Sequence, residues 1–266
     1  MNESLVSIIM PSFNSATYIA ESIESILRQT YTDWELLVVD DCSTDETIAI
    51  VSQYAAQDKR IRLFRLEKNM GSGHSRNHGI TNAEGRYLAF CDSDDLWLPH
   101  KLERQMAFMR ERECGIVYGS YLVCNDDGER CGIIIAPKRQ TLQQMKRDSK
   151  IGFLTVVIDT QKCPKIPMPT LRKRQDWAYL LMILQHCGVA YAVQEPIAIY
   201  RHRKTSLSAK KFGLIAYAIQ VYQLVFGYTK VQAYAYLFCV FLPNYFWKRF
   251  RVMCYQRRYR HLLAEY

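Results

Sequence analysis

Between Tyr87 and Leu98 the chain reads Tyr-Leu-Ala-Phe-Cys-Asp-Ser-Asp-Asp-Leu-Trp-Leu. Three carboxylates, Asp92, Asp94 and Asp95, arrive within four positions, directly after an apolar run that has room only for a buried strand. Acids in such a place are costly unless positive charge meets them. Oxygen-only ligands suit hard cations such as Mg2+ or Mn2+, which in turn hold phosphates. The C-terminal mouth of a buried strand is also where open α/β sheets bind ligands. The plainer alternative is a turn in which Asp92 or Ser93 caps a helix entered at Pro99.

The elements around this cluster decide between the two. Leu5 to Met10 reads as a buried strand closed by the polar loop Pro11-Ser12-Phe13-Asn14. Tyr18 to Leu27 has helical apolar spacing, at Tyr18, Ile19, Ile23, Ile26 and Leu27. Glu35 to Val39 is a second strand with Asp40-Asp41 at its end, and Ser43 or Thr44 is placed to cap a helix running to about Asp58. Ile61 to Leu66 is a third strand, Ser72 to about Ala83 a third helix, and Tyr87 to Cys91 a fourth strand. Strand and helix alternating in this way imply an α/β fold, a mostly parallel sheet with helices on both faces. The loops carrying Ser12, Asn14, Asp41 and Asp92 to Asp95 then converge on one sheet edge.

Two common phosphate-binding motifs are excluded. Gly71-Ser72-Gly73-His74-Ser75-Arg76 begins like a dinucleotide fingerprint, but Arg76 stands where the last glycine is needed, and no Gly-Lys-Ser/Thr loop occurs. A phosphate site here would rely on a metal and basic side chains. Arg76, in the first turns of a helix, is a candidate, and a solvated helix arginine is its ordinary alternative.

With 266 residues and 49% hydrophobic content, the chain supports one large α/β domain or one domain with an appendage. Its 9 cysteines are odd in number, scattered and without a Cys-x-x-Cys pair, which predicts reduced thiols instead of a disulfide frame or a zinc site. The strand at the start predicts no signal peptide. Net charge is +9, and much of it sits in Lys248, Arg249, Arg251, Arg257, Arg258 and Arg260. Nucleic acid and an anionic membrane surface are both partners for such a cluster. Charge confined to the tail, away from an aromatic-lined face, argues against a nucleic-acid-binding module.

Several stretches resemble family 2 glycosyltransferases. They are Val6 to Asn14, Val39 to Asp45 with Cys42 in place of the family's usual glycine, Asn69 to Ile80, and Asp92-Ser93-Asp94-Asp95 with Leu98-Pro99. The blocks keep the family's order and spacing from residue 5 to about residue 110. The resemblance implies a GT-A fold, a UDP-sugar donor, Mn2+ or Mg2+, and inversion at the anomeric carbon. It gives Asp41 the uracil, and places Pro11 and Phe13 at the base edge and Arg76 near the nucleotide. Asp92 would face the ribose or donor sugar, Asp94 would hold the metal, and Asp95 would orient the loop. Inversion needs a base for the acceptor hydroxyl. The family's aspartate at a helix start matches Asp176 in Arg174-Gln175-Asp176-Trp177, ahead of the helical run Ala178 to Leu184. A carboxylate that only meets the helix dipole is the alternative. Trp177 would stack on the acceptor or sit in the core. Ile199 to Ser208 resembles the closing loop, with Arg203 where many members have histidine; Arg203, Arg201 or His202 would contact the diphosphate as a cation.

In the second half, Ile116 to Val123 and Cys131 to Ile135 read as a hairpin about the turn Asn125 to Gly128. Residues 1–208 are expected to form the transferase domain, with a nucleotide-sugar half (1–110) and an acceptor half (111–208). Residues 209–266 are expected to be a helical, basic segment. Phe212 to Thr229 and Val231 to Trp247 lack charge but carry glutamines, tyrosines and Pro243. They suit helices that pack on the domain or lie in a membrane interface better than spans. The expected protein is a metal-dependent hexosyltransferase with a lipid-linked saccharide acceptor in surface polysaccharide assembly, peripheral at the inner face of the cytoplasmic membrane. A nucleotidyltransferase and a non-catalytic basic binding module are the alternatives.

Overall fold

The computed structural model describes residues 2–202 and 214–243; Arg203 and the basic cluster from Lys248 onward lie outside the described residues. The first half is the expected alternation: β1 (Asn2–Ser12), α1 (Ile19–Leu27), β2 (Trp34–Asp40), α2 (Thr47–Gln57), β3 (Ile61–Arg65), α3 (Ser72–Asn82) and β4 (Gly85–Phe90). Parallel pairing of β3 with β2, β2 with β1 and β1 with β4 puts the C-terminal ends of these strands along one edge. In that register Ser12 stands opposite Asp40.

After β4 the chain forms β5 (Leu96–Trp97), α4 (Lys101–Arg112), β6 (Ile116–Cys124), β7 (Arg130–Ile134), β8 (Arg139–Thr141) and α5 (Leu142–Arg147). β9 (Val157–Asp159), α6 (Gln175–Cys187), β10 (Val189–Arg201), α7 (Leu214–Phe226) and α8 (Lys230–Tyr236) complete it. The sheet order is β3-β2-β1-β4-β9-β6-β10-β5, with β7 on β6 as the expected hairpin and β8 on β10. β9 runs antiparallel to both β4 and β6 and joins the two halves into one sheet.

Each sheet face has its own core. Val6, Ile8 and Met10 of β1 share a core with Ile19, Ile23 and Ile26 of α1 and with α4, whereas Ile9 points the other way, over Gly79 of α3, into the core that also holds Phe90, α6 and α7. This is the period-2 alternation of a strand buried on both sides. Each fully buried aliphatic side chain contributes roughly 1.5–3 kcal/mol.

Two expectations are corrected and one alternative is set aside. Ser43 and Thr44 do not cap α2: Ser43 donates to Asp40, and the Thr44 amide donates to Asn14. Asp45, one residue further on, accepts the Thr47 amide instead. α4 is entered at His100 without a side-chain cap, while Ser93 meets Ser15, so the 92–95 turn is not a capping device. The cysteines are not all reduced thiols, since Cys163 and Cys187 are joined, with Cα atoms 5.8 Å apart. They are separated by 24 positions, and only the packing of the end of α6 against the loop after β9 brings them together.

α7 and α8 belong to the core. Tyr222 is buried, its ring meets Trp177 of α6 at 5.6 Å, and its hydroxyl donates to the Lys146 carbonyl. Lys146 Nζ lies 4.2 to 4.7 Å from the rings of Phe226, Tyr228 and Tyr236 and donates to the Tyr228 hydroxyl at 2.7 Å. Among the described residues no single helix is long and apolar enough to cross a membrane; Ala216–Phe226 and Lys230–Phe241 together pass that test but are bent by 116°.

Candidate active site

Asp41 sits just past the end of β2, buried, with its amide donating to the Ser12 carbonyl. Its carboxylate oxygens accept the backbone amides of Met70 (2.8 Å) and Gly71 (2.7 Å), immediately before α3. Each oxygen retains an acceptor direction for a ligand N–H. Cys42 follows at φ 66, a left-handed conformation that explains why glycine is the usual residue in the family pattern. Phe13, 48% exposed, and Met70, 50% exposed, bracket this carboxylate in sequence, and Pro11 is buried in β1.

α3 carries Arg76 inward. The guanidinium is buried, pairs through Nη2 with Asp92, and lies 5.4 Å from the Phe153 ring. Its Nε is buried with no hydrogen-bond partner among the described residues. Asp92, at 42% side-chain exposure, thus opens the acidic turn with one face on a cation and the other towards solvent.

The turn itself is tightly held. The Asp95 amide donates to the Asp92 carbonyl, Ser93 Oγ lies 2.7 Å from Ser15 Oγ, and Asp95 is buried with Oδ1 accepting the Arg201 amide. Arg201 Nε donates to the Asp94 carbonyl at 3.1 Å, its Nη2 pairs with Glu21 at 2.6 Å, and its guanidinium stacks 4.8 Å over Tyr18. The structure therefore places Asp95 and Arg201 as fixtures of the turn. His202 is exposed and its amide donates to the Cys124 carbonyl.

No group of three or more metal-binding side chains occurs among the described residues. Mg2+ and Mn2+ do not need one when substrate phosphates and water complete the shell. Asp94, half-buried on a pinned turn with oxygen donors only, fits that mode of binding.

Asp176 stands in the first turn of α6, half-buried, and no protein partner for its carboxylate is found among the described residues. The preceding Gln175 donates from Nε2 to Ser72 Oγ at 2.6 Å, which sets the start of α6 against the start of α3. Trp177 is in the core, with Nε1 donating to the Met145 carbonyl and its ring on Tyr222 and Phe241. Sequence reasoning missed Ser15, Glu21 and Ser72 as members of this constellation, and the bond that Gln175 makes. They are polar residues in helix first turns or loops, and only the tertiary fold gives them partners.

Asp41, Arg76 and the acidic turn gather at the strand ends of an α/β sheet, and the fold is that of the GT-A glycosyltransferase class. The chain belongs to glycosyl transferase family 2, whose model matches residues 7–163. It is 42% identical over 209 residues to TuaG of Bacillus subtilis (strain 168), a glycosyltransferase named for teichuronic acid biosynthesis; the match covers 78% of this chain and 83% of that protein. It is 36% identical over 212 residues to WfgD of Escherichia coli, a UDP-Glc:alpha-D-GlcNAc-diphosphoundecaprenol beta-1,3-glucosyltransferase, with 80% and 83% covered. Staphylococcus aureus TarS (residues 1–349) with UDP-GlcNAc shares the fold at a TM-score of 0.68 and 24% identity, over 83% of this chain and 65% of that one. Family membership replaces the nucleotidyltransferase and binding-module alternatives.

Proposed function

We propose that this glycosyltransferase moves a hexose from a UDP-sugar to a lipid-linked saccharide in cell-surface polysaccharide assembly, with inversion, in the presence of Mn2+ or Mg2+. One observation carries the reading. The start of α6, bearing Asp176 with no carboxylate partner among the described residues, rests on the start of α3, whose Arg76 reaches Asp92 of the acidic turn. This contact supports a base beside the leaving group. The activity for which WfgD is named, with a UDP-Glc donor and a diphosphoundecaprenol-linked acceptor, supports the substrate class.

In this reading Asp41 accepts the uracil N3–H, with Phe13 beside the base. Arg76 and Asp92 face the diphosphate and sugar, and Asp94 holds the metal, which neutralises charge developing on the leaving diphosphate. Asp176 takes the acceptor hydroxyl proton. The test is nucleoside diphosphate release from a panel of nucleotide sugars with a short-chain lipid-linked acceptor. Turnover is expected with a UDP-hexose, and is abolished by EDTA and by Asp94→Ala. Asp176→Asn is expected to lower kcat on the order of 10²-fold or more with UDP affinity unchanged. Release only from a CDP- or GDP-sugar, or full activity in EDTA, overturns the donor or metal assignment respectively.

A peripheral site at the inner face of the cytoplasmic membrane belongs to the same reading. Its support is the basic cluster together with the outer side of α8 and the turn after it, where Val231, Tyr234 and Phe238 are exposed.

A further inference from the structure

Three side chains on α3 and at the start of α6, Ser72, Asn77 and Gln175, do nothing in the chemistry above, yet they tie α3 to α6 and the segment before it. Gln175, buried, donates from Nε2 to Ser72 Oγ at 2.6 Å. Its Oε1 fills the space over Gly73: a Cβ there would come within 2.2 Å of it. Asn77, further along α3, donates from Nδ2 to the Met168 carbonyl (2.8 Å) and accepts the Met168 amide at Oδ1 (2.6 Å). The segment leading into α6 is therefore sewn to α3 at both ends, by two carboxamides. Arg174 between them takes a left-handed φ of 60, so the chain turns sharply before the helix begins.

We propose that Gln175 is a positioning residue: through Ser72 and Gly73 it locks the helix that carries the base to the helix that carries the donor-site arginine. It rests on Asp176 being the base. Gln175 is the immediate neighbour of Asp176, and Ser72 lies one helical turn before Arg76 on α3. Fixing one pair therefore fixes the distance between base and donor. A reacting group displaced by about 1 Å loses up to roughly 10²-fold in rate. In the proposed reading Asp41, Arg76 and the acidic turn hold the donor without Gln175, so the lock should act on turnover and leave nucleotide affinity untouched. A glutamate at 175 could keep the bond with its direction reversed, the Ser72 hydroxyl donating to the carboxylate.

The test compares Gln175→Ala, Ser72→Ala, the double variant and Gln175→Glu with the parent, measuring kcat, donor KM, and UDP binding by calorimetry. Each single alanine variant is expected to lower kcat about tenfold with UDP affinity and donor KM within twofold. The double variant should be no slower than the slower single, because one bond is removed twice. Gln175→Glu should recover most of the rate. Parental kcat in both single variants, multiplicative losses, or a parallel loss of UDP affinity overturns the proposal. Should Gln175→Ala fail to fold, Ser72→Ala carries the same test. Asp176→Asn in the same assay separates the two readings. Undiminished turnover there removes the base assignment and this lock with it, whereas a large loss there beside an unaffected Gln175→Ala removes the lock alone.

Discussion

Asp41 serves the fold and, in the proposed reading, the ligand as well. Both oxygens hold backbone amides before α3, so replacing it disturbs the loop as well as the proposed base site. Asp41→Asn presents an NH2 to one of those amides and is expected to cost about 1–3 kcal/mol of stability. It should also erase the preference for UDP over CDP, read by calorimetry. Equal affinity of the parent for the two nucleotides would remove Asp41 from the uracil. A second residue, Lys101, gives a pH signature. It is fully buried, its ammonium lies 3.7 Å from the Trp97 ring and donates to Gln105, and burial lowers its pKa from 10.5 to about 7. Between those values the unfolded chain holds a proton that the folded chain has released, so this residue makes stability rise with pH. Against Lys101→Met, the parent should gain about 1 kcal/mol from pH 7 to pH 8 in urea unfolding. The comparison stops there because burial raises the neighbouring Cys91 thiol, which works in the opposite sense at higher pH. An unchanged difference would mean that Lys101 titrates normally. The family pattern marked Asp41, Arg76, Asp92, Asp94 and Asp176 as candidates, with Gln175 as the residue that precedes the aspartate. The bond from Gln175 to Ser72 and the part played by Glu21 were not legible, because a neutral or solvated residue in a first turn shows no partner until the fold is in place.

Among the elements, those with a complete hydrophobic period were legible. β1 through β4 and α1 lie close to where apolar spacing puts them, because each must bury a face on the sheet. β5, two residues long, has no period to read, and β8 and β9 owe their state to strands far off in sequence. β5 nevertheless matters. It pairs Leu96 and Trp97 with Ile199 and Ala198 of β10, so Arg201 arrives at the acidic turn from the far end of the chain. There it holds the Asp94 carbonyl and Asp95 at once. Arg201→Met removes the carbonyl clamp and the Glu21 pair while leaving the backbone bond to Asp95 available. The expected result is a rise of about tenfold or more in the Mn2+ concentration for half-maximal turnover, as supports for ligand residues commonly supply that much. An unchanged metal titration would show that the turn keeps its shape without the guanidinium.

At the scale of the whole molecule, the expected tail divides in its behaviour. The inner sides of α7 and α8 close the core over Trp177, while the outer side of α8 and its continuation shows Val231 at 78% and Phe238 at 60% exposure. Val231, Tyr234 and Phe238 recur at helical spacing, Tyr234 and Phe238 stack at 6.4 Å, and no charge occurs from Val231 to Trp247. A solvated helix face ordinarily carries charge. An uncharged aromatic face followed directly by six basic residues suits the headgroup boundary of an anionic bilayer. Each basic residue near that surface contributes roughly 1 kcal/mol, and salt weakens this part alone. The protein should therefore sediment with anionic vesicles and far less with neutral ones. Replacing Arg249, Arg251, Arg257, Arg258 and Arg260 by Gln should abolish the salt-sensitive part. Replacing Val231, Tyr234 and Phe238 by Ser should weaken what remains in high salt. Because those three side chains point away from the core, turnover on a short-chain, water-soluble acceptor should persist in both variants, and turnover on a long-chain lipid acceptor should fall. Vesicle binding equal to the parent in both variants would remove the membrane from the reading. A shift from dimer to monomer in the Ser variant would assign the α8 face to a second copy of the chain.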